Sequence, residues 1–184
     1  FDSGLHLWDQ LFALGVVPIG VETYANSRRL EKSLRLQNAD LETDFNLYEA
    51  GLARSVVKKA AFHGKSAYLA QRGLDQQTSY LCTLVMLANE DAEGIKRYPV
   101  GEWPILDADT GLVVIDAKGR RSFSTSISYG PSLGRNLLLA YLPADRAIVG
   151  ETFILEYFCE HYPIRVEAVG STPVLDPDNE RARS

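Results

Sequence analysis

Past about residue 80 the chain is cut into short apolar runs by turn residues, and this punctuation limits its fold more than any other feature. The runs 81–87, 112–116, 122–128, 137–142, 152–158 and 162–169 have strand length and are rich in Val, Ile, Leu, Thr, Tyr and Phe. Gly101, Pro104, Asp107 to Gly111 and Lys118-Gly119 stand between them as turn signals. Short strands punctuated in this way predict a small barrel or sandwich. The last stretch, 173–184, carries two prolines and no apolar period, and reads as a tail on the surface.

Before residue 74 the texture differs. Leu5, Trp8, Leu11 and Phe12 recur at helical spacing between Ser3, a candidate cap, and Gly15, a candidate stop, so 3–14 is predicted helical. A second helix is expected over 23–36, a short strand over 53–57, and a third helix over 64–73 with Ala67, Leu69 and Ala70 on its buried side. The expectation is an α+β chain with a boundary at 74/75: an α/β part over 1–74 and an all-β part over 75–184. Trp8, Phe12, Leu30 and Leu34, the apolar stripes of the first two helices, are expected in the core.

Composition removes several classes. Of 184 residues 46% are apolar and 23% charged, a globular balance that excludes general disorder. The net charge of −5 lacks the basic excess of a nucleic-acid binder, and no apolar run approaches the roughly 20 residues of a membrane span. Cys82 and Cys159 match no zinc spacing and lie in apolar alternation, which reads as two buried free thiols in a reducing compartment. With no signal peptide or twin-arginine segment, the expected location is the cytoplasm, or the mitochondrial matrix of a eukaryote. His6, His63 and His161 share no ligand spacing, and no HExxH, EF-hand, nucleophile-elbow, Walker or dinucleotide pattern occurs. A start at Phe1 that runs directly into helical pattern leads us to expect that a segment precedes it.

The candidate chemistry lies on the second helix. At about 100° per residue, Leu30 and Leu34 share one side with Ser27, while Tyr24, Arg28, Glu31 and Arg35 share the other, beside Lys32. The plain reading is a solvated face on which Glu31 pairs with Arg28 and Arg35, at about 0.2–0.5 kcal/mol per pair. The functional reading is a floor for a flat polar heterocycle such as a pterin. A carboxylate accepts paired hydrogen bonds from an amidine-like edge, and an aromatic ring supplies a stacking plane. Tyr24 and Glu31 lie about 20° apart around an ideal helix, two turns from each other.

These residues carry a resemblance. Tyr24-Ala25-Asn26-Ser27-Arg28-Arg29-Leu30-Glu31-Lys32 resembles the helix motif of the aminomethyltransferase (glycine-cleavage T-protein) family, in the form found in dimethylglycine and sarcosine dehydrogenases and oxidases. Asp40-Leu41 with Asp44, then Tyr48-Glu49-Ala50-Gly51-Leu52, is similar to the family's "D…T-P-x-E-A-G-L" segment. Phe62-His63-Gly64-Lys65-Ser66-Ala67 resembles "F-x-G-K-x-A-L". Ser124-Thr125-Ser126 through Tyr129-Gly130-Pro131-Ser132-Leu133-Gly134 resembles "T-S-G-x-Y-S-P-S-L-G". Leu139-Ala140-Tyr141-Leu142-Pro143 resembles "L-A-Y-V-P", and 176–183 is similar to the terminus of several flavoprotein members. The motifs follow the family's order along nearly the whole chain.

The resemblance implies the last portion of a folate-binding domain followed by the family's C-terminal β-barrel. It implies transfer of a one-carbon unit to tetrahydrofolate from an amine-derived or sulfonium donor. In the dehydrogenase branch an FAD domain nearer the N-terminus oxidises an N-methyl amine first. Tyr24, Leu30, Glu31 and Lys32 match positions lining the folate site, Tyr129 is a further candidate from the barrel motif, and Arg29 matches a bracing arginine. Ala25 stands where T-proteins carry a folate-binding arginine, which favours the dehydrogenase branch. Ser128 and Gly130 also depart from the family's barrel motif. The family's catalytic aspartate would lie before Phe1, so no catalytic residue and no metal ligand is assigned in 1–184, and this segment by itself is expected to be inactive. A flavin-free folate-dependent methyl or aminomethyl transferase and a non-catalytic scaffold barrel are the alternatives.

Overall fold

A computed structural model describes residues 3–74 and 77–181. The expected boundary at 74/75 and the last residues of the tail, 182–184, touch positions outside the described residues. Helix α1 (Gly4–Ala13) is followed by a π-helical stretch (Thr23–Arg28), a single α-helical turn α2 (Arg29–Glu31) and helix α3 (Lys65–Arg72). Six strands follow: β1 (Ser79–Met86), β2 (Ile105–Asp107), β3 (Ser124–Gly130), β4 (Arg135–Pro143), β5 (Thr152–Tyr157) and β6 (Glu160–Val169). They form one antiparallel sheet in the order β2-β5-β6-β1-β4-β3.

The sheet curls into a half-barrel, and its two outer strands meet at one end. There Pro104 bridges Phe123, Ile105 N donates to the Ser122 carbonyl at 3.0 Å, and Ser124 N donates to the Trp103 carbonyl at 2.8 Å. No helix occurs after Arg72 among the described residues. Five of the expected strands appear close to their expected bounds. The run 112–116 forms only single bridges, from Val113 to Leu106 and from Ile115 to Arg121. Strand β2 escapes sequence reading because three residues between Pro104 and the Asp107 turn are too few to show a period.

The interior holds Cys82, Leu84, Met86, Ile105, Ile127, Leu138, Ala140, Leu142, Phe153, Leu155, Ile164 and Val166. A second cluster lies on the outer face of β1 and β4, where Leu81, Val85, Leu137, Leu139 and Tyr141 pack against Leu30 and Ala50 from upstream. Both faces of these two strands are therefore dry, which is why they read as unbroken apolar runs. Strands β5 and β6 cover one face only and alternate.

The helical region departs from expectation in four places. The second helix stops at Glu31 because Ser33 adopts φ +53. Leu34 N then bonds the Arg29 carbonyl and Ser33 N the Leu30 carbonyl, a Schellman ending whose left-handed residue is usually Gly. The Ser33 hydroxyl, fully buried, bonds Thr83 Oγ1 at 2.8 Å and fixes that geometry. The expected strand 53–57 is irregular. Helix α3 buries none of Ala67, Leu69 or Ala70; it is held by polar contacts, the Tyr68 hydroxyl bonding the Arg54 N and carbonyl and Lys65 Nζ bonding the carbonyls of Lys58, Lys59 and Ala60. Of the four residues expected in the core, Leu30 is there at 0% exposure, while Trp8, Phe12 and Leu34 are exposed. Helix α1 ends at Gly15 as expected, but its apolar side is exposed, and the Trp8 and Phe12 rings lie against each other with centroids 4.9 Å apart.

The cysteines also separate. Cys82 is inside the barrel, where burial pushes its thiol up to about 12. Cys159 is exposed at the β5–β6 turn, which corrects the expectation of two buried thiols. The tail is held rather than loose: Val174 joins the outer cluster and Leu175 N donates to the Glu31 carbonyl at 2.9 Å. Leu30→Ala should destabilise the protein by about 2–5 kcal/mol in chemical denaturation, while Trp8→Ala should stay within about 0.5 kcal/mol.

Candidate functional site

The π-helical stretch changes the angular arithmetic of the candidate stripe. Its i→i+5 bonding advances each residue less around the axis than an α-helix does. Tyr24 and Glu31 therefore do not share a face: Tyr24 is 60% exposed, while Glu31 is completely buried. Arg35, beyond the helix end, bonds the Ala50 carbonyl at 2.9 Å and the Ser33 and Gly170 carbonyls, not Glu31.

Glu31 joins the helix to the β3–β4 turn. Its Oε1 accepts from Ser132 N at 2.6 Å and its Oε2 accepts from Arg28 Nη1 at 3.0 Å. Arg28 also donates to the Ser132 hydroxyl, and the Ser27 and Ser128 hydroxyls meet at 3.2 Å. A Cβ on Gly130 would lie 3.2 Å from Glu31 Oε1 and 3.0 Å from Leu137 Cδ1, so the glycine makes room for the carboxylate. Ser128 and Gly130, the two departures from the barrel motif, are thus the residues that meet the helix. Lys32 turns the other way: its Nζ bonds the Asp176 carbonyl at 2.7 Å, Asp176 Oδ2 at 3.2 Å and Asn179 Oδ1 at 3.0 Å. Leu30 lies in the core beneath.

Tyr129 lies elsewhere. Side chains alternate along a strand, so with Ser128 and Gly130 facing the helix, Tyr129 projects from the opposite face of β3. The five candidate ligand-binding residues therefore form no single constellation. Tyr24 is open, Leu30 and Glu31 are interior, Lys32 holds the tail, and Tyr129 faces away; Arg28, beside them, is half-open. As a receptor for a flat polar ring, the surface offers Tyr24 and the Arg28 guanidinium. The carboxylate edge is already occupied by protein donors.

Two further clusters brace this surface. Arg29 donates to Asp40 Oδ2 at 2.7 Å and to Ser126 Oγ at 2.7 Å, and Asp40 also accepts from Ser126, Thr125 and Leu36 N. The resemblance gave Arg29 a bracing role, but its partner Asp40 went unrecognised; the only signal was its place in the next motif. The second cluster centres on Glu49, which accepts from Arg120 Nη2 at 2.6 Å, Thr78 Oγ1 at 2.7 Å and Asn46 N at 3.0 Å. Arg120 also pairs with Asp116 at 2.7 Å and lies over the Phe45 ring. Burial alone would raise the Glu49 pKa, but the bonds from Arg120, Asn46 and Thr78 outweigh it and hold the carboxyl at about 2. Elsewhere Asp91, Glu93 and Glu160 come together, with Asp91 already paired to Arg97 at 2.6 Å. Among the described residues no helix is long and apolar enough to cross a membrane.

No family model matches the chain. It is 30% identical over 174 residues to an aminomethyltransferase of Koribacter versatilis, covering 90% of this chain and 40% of that protein. It is 32% identical over 151 residues to an aminomethyltransferase of Moorella thermoacetica, covering 78% of this chain and 36% of the relative. The chain thus spans about 40% of the length of the curated relatives it matches. Its fold is shared with the glycine cleavage system aminomethyltransferase T of Bartonella henselae, at TM-score 0.63 and 21% identity, over 83% of this chain and 38% of that one. These likenesses support the aminomethyltransferase (T-protein) family for the chain; closeness to its dehydrogenase branch is not among them.

Two measurements check the bracing. Glu31→Gln turns an acceptor toward Ser132 N or Arg28 into a donor, and should lower stability by about 1–3 kcal/mol in thermal melts. Glu49, depressed from 4.5 to about 2, contributes stability that is complete above pH 4.5 and is lost as pH falls toward 2. Glu49→Gln should flatten the stability–pH curve across that window.

Proposed function

We propose that this chain is the C-terminal portion of a protein that transfers an aminomethyl-derived one-carbon unit to tetrahydrofolate. Residues 1–74 would be the remainder of its folate-binding domain and 75–184 its barrel. The observation that carries the reading is 30% identity to an aminomethyltransferase across 90% of the chain. The fold shared with a glycine-cleavage T-protein supports it.

In this reading the barrel and the clusters of Arg29 and Glu49 hold the 23–32 segment in place. Tyr24 then presents its ring to the flat ligand, with Arg28 beside it. Glu31 contributes by fixing Arg28 rather than by touching the ring. Proton handling at the folate nitrogen would fall to an acid supplied by the part of the relatives that this chain does not span. A dehydrogenase-type parent, with FAD oxidising an N-methyl amine before folate captures the carbon, is the second reading. It is favoured by Ala25 and by the 24–32 motif. Flavin absorbance in the product of the complete reading frame would support it, and its absence there would leave the flavin-free transferase.

Equilibrium binding of tetrahydrofolate to the complete protein tests the main reading. Tyr24→Ala should weaken binding about tenfold through loss of the stacking plane, with an unchanged melting temperature because the ring is exposed. Absence of saturable binding would overturn the reading.

A further inference from the structure

The turn between β5 and β6 is made of residues that a turn of its kind disfavours. Tyr157 pairs with Glu160, so Phe158 and Cys159 alone close the hairpin, with φ +50 and +64. A two-residue hairpin with both central φ values positive ordinarily carries Asn-Gly, and a bulky aromatic at positive φ is uncommon. Phe158 is nonetheless 70% exposed, so burial of its ring does not offset the strain.

This turn sets an aromatic wall. The Phe158 ring centroid lies 4.9 Å from that of Trp103 and 4.6 Å from that of Tyr157, the latter edge-on at 67°. Tyr157 continues the inward phase of Phe153 and Leu155 along β5, and Glu160 and Tyr162 share the inward phase of Ile164 along β6. These three side chains therefore stand on one face, at the mouth of the half-barrel. Tyr98 reaches the same place from the loop after β1, and Tyr162, 2% exposed, closes the bottom. The four rings and Glu160 line a cavity of about 400 Å³.

The loop that brings in Tyr98 is held, for Arg97 N bonds the Asn89 carbonyl at 2.7 Å and Asn89 Nδ2 bonds the Arg97 carbonyl at 2.9 Å. Charge at the cavity favours a cation. Glu160 makes no ion pair among the described residues; its Oε2 accepts from the Tyr162 hydroxyl at 3.4 Å. A carboxylate oxygen of Glu160 lies within 4.8 Å of one from Asp91 and one from Glu93. The Arg97 guanidinium, which also lines the cavity, is already neutralised by Asp91 at 2.6 Å. Lys96, exposed beside it, opposes a cation.

We propose that this cavity binds a small quaternary ammonium, held among the rings of Tyr98, Tyr157 and Phe158 with Glu160 as its counter-charge. Aromatic faces attract a cation whose charge is spread over methyl groups, so rings and one carboxylate suffice for it. A metal ion would require a fuller set of oxygen ligands. The residues involved belong to β5, β6 and the loop after β1, and the site does not depend on the folate reading.

Calorimetric titration of the protein at constant ionic strength with choline, with ethanolamine and with dimethylbutanol, the neutral analogue in which carbon replaces the choline nitrogen, tests this. Choline should bind saturably below about 10 mM, and each of the other two at least about fivefold more weakly. Phe158→Asn suits a positive φ, so it should keep or raise the melting temperature while weakening choline by about fivefold or more. Glu160→Gln should weaken choline by about threefold or more, and Lys96→Gln should tighten it, since each changes the charge beside the bound cation. Lack of saturable choline binding, equal binding of the neutral analogue, affinity unchanged in Glu160→Gln, or a Phe158→Asn protein that melts lower and binds as before would overturn the proposal.

Discussion

A guanidinium and a carboxylate buried together hold the upstream segment to the barrel. Both oxygens of Asp40 are doubly bonded, by Arg29 and Leu36 N on one side and by Ser126 and Thr125 on the other. Its backbone carbonyl takes the Tyr141 hydroxyl at 2.8 Å. Removal of one partner from such a pair typically costs about 3–5 kcal/mol, because the other charge is left without compensation in a dry place. That cost fixes where residues 25–41 lie. The position of Tyr24 and Arg28, the closing of the outer cluster over β1 and β4, and the reach of Glu31 to Ser132 all depend on it.

The barrel was legible because its signals are local and redundant. Strands β3 to β6 each have a run of six or more residues and a clear turn on at least one side. The continuous run of β1 was legible as a strand, but its meaning, burial on both faces, needed the upstream segment in place. The helix end at Ser33 was hidden: a serine with φ +53 has no sequence mark, and its hydroxyl partner Thr83 is 50 residues away. The exposed α1 is the converse case, for an amphipathic pattern records which face is apolar without stating whether anything covers it.

The candidate site shows the same limit more sharply. Spacing on an ideal helix grouped Tyr24 with Glu31, and motif order added Lys32 and Tyr129. A π-helical stretch, a tail contact and the alternation of one strand then sent them in four directions. The motif itself was still informative. It marks the place where helix, β3–β4 turn and tail converge, and a glycine at 130 and serines at 27, 128 and 132 are what such convergence requires.

The tail contact has a bearing on biosynthesis. Lys32 is secured by Asp176, 144 residues later in the chain, and Leu175 caps the Glu31 carbonyl. At about 5–20 residues per second a ribosome needs roughly 7 to 29 seconds to make that distance. Strand β1 likewise waits for β4 and β6 before either edge is paired. During this interval Arg29 already has Asp40, and the outer face of β1 already has Leu30 and Ala50, but Lys32 and the Glu31 carbonyl lack their tail partners. A chain ended after Val169 but before Leu175 therefore keeps the Arg29–Asp40 and Glu31–Ser132 bonds and loses the tail's hold on Lys32 and on the Glu31 carbonyl.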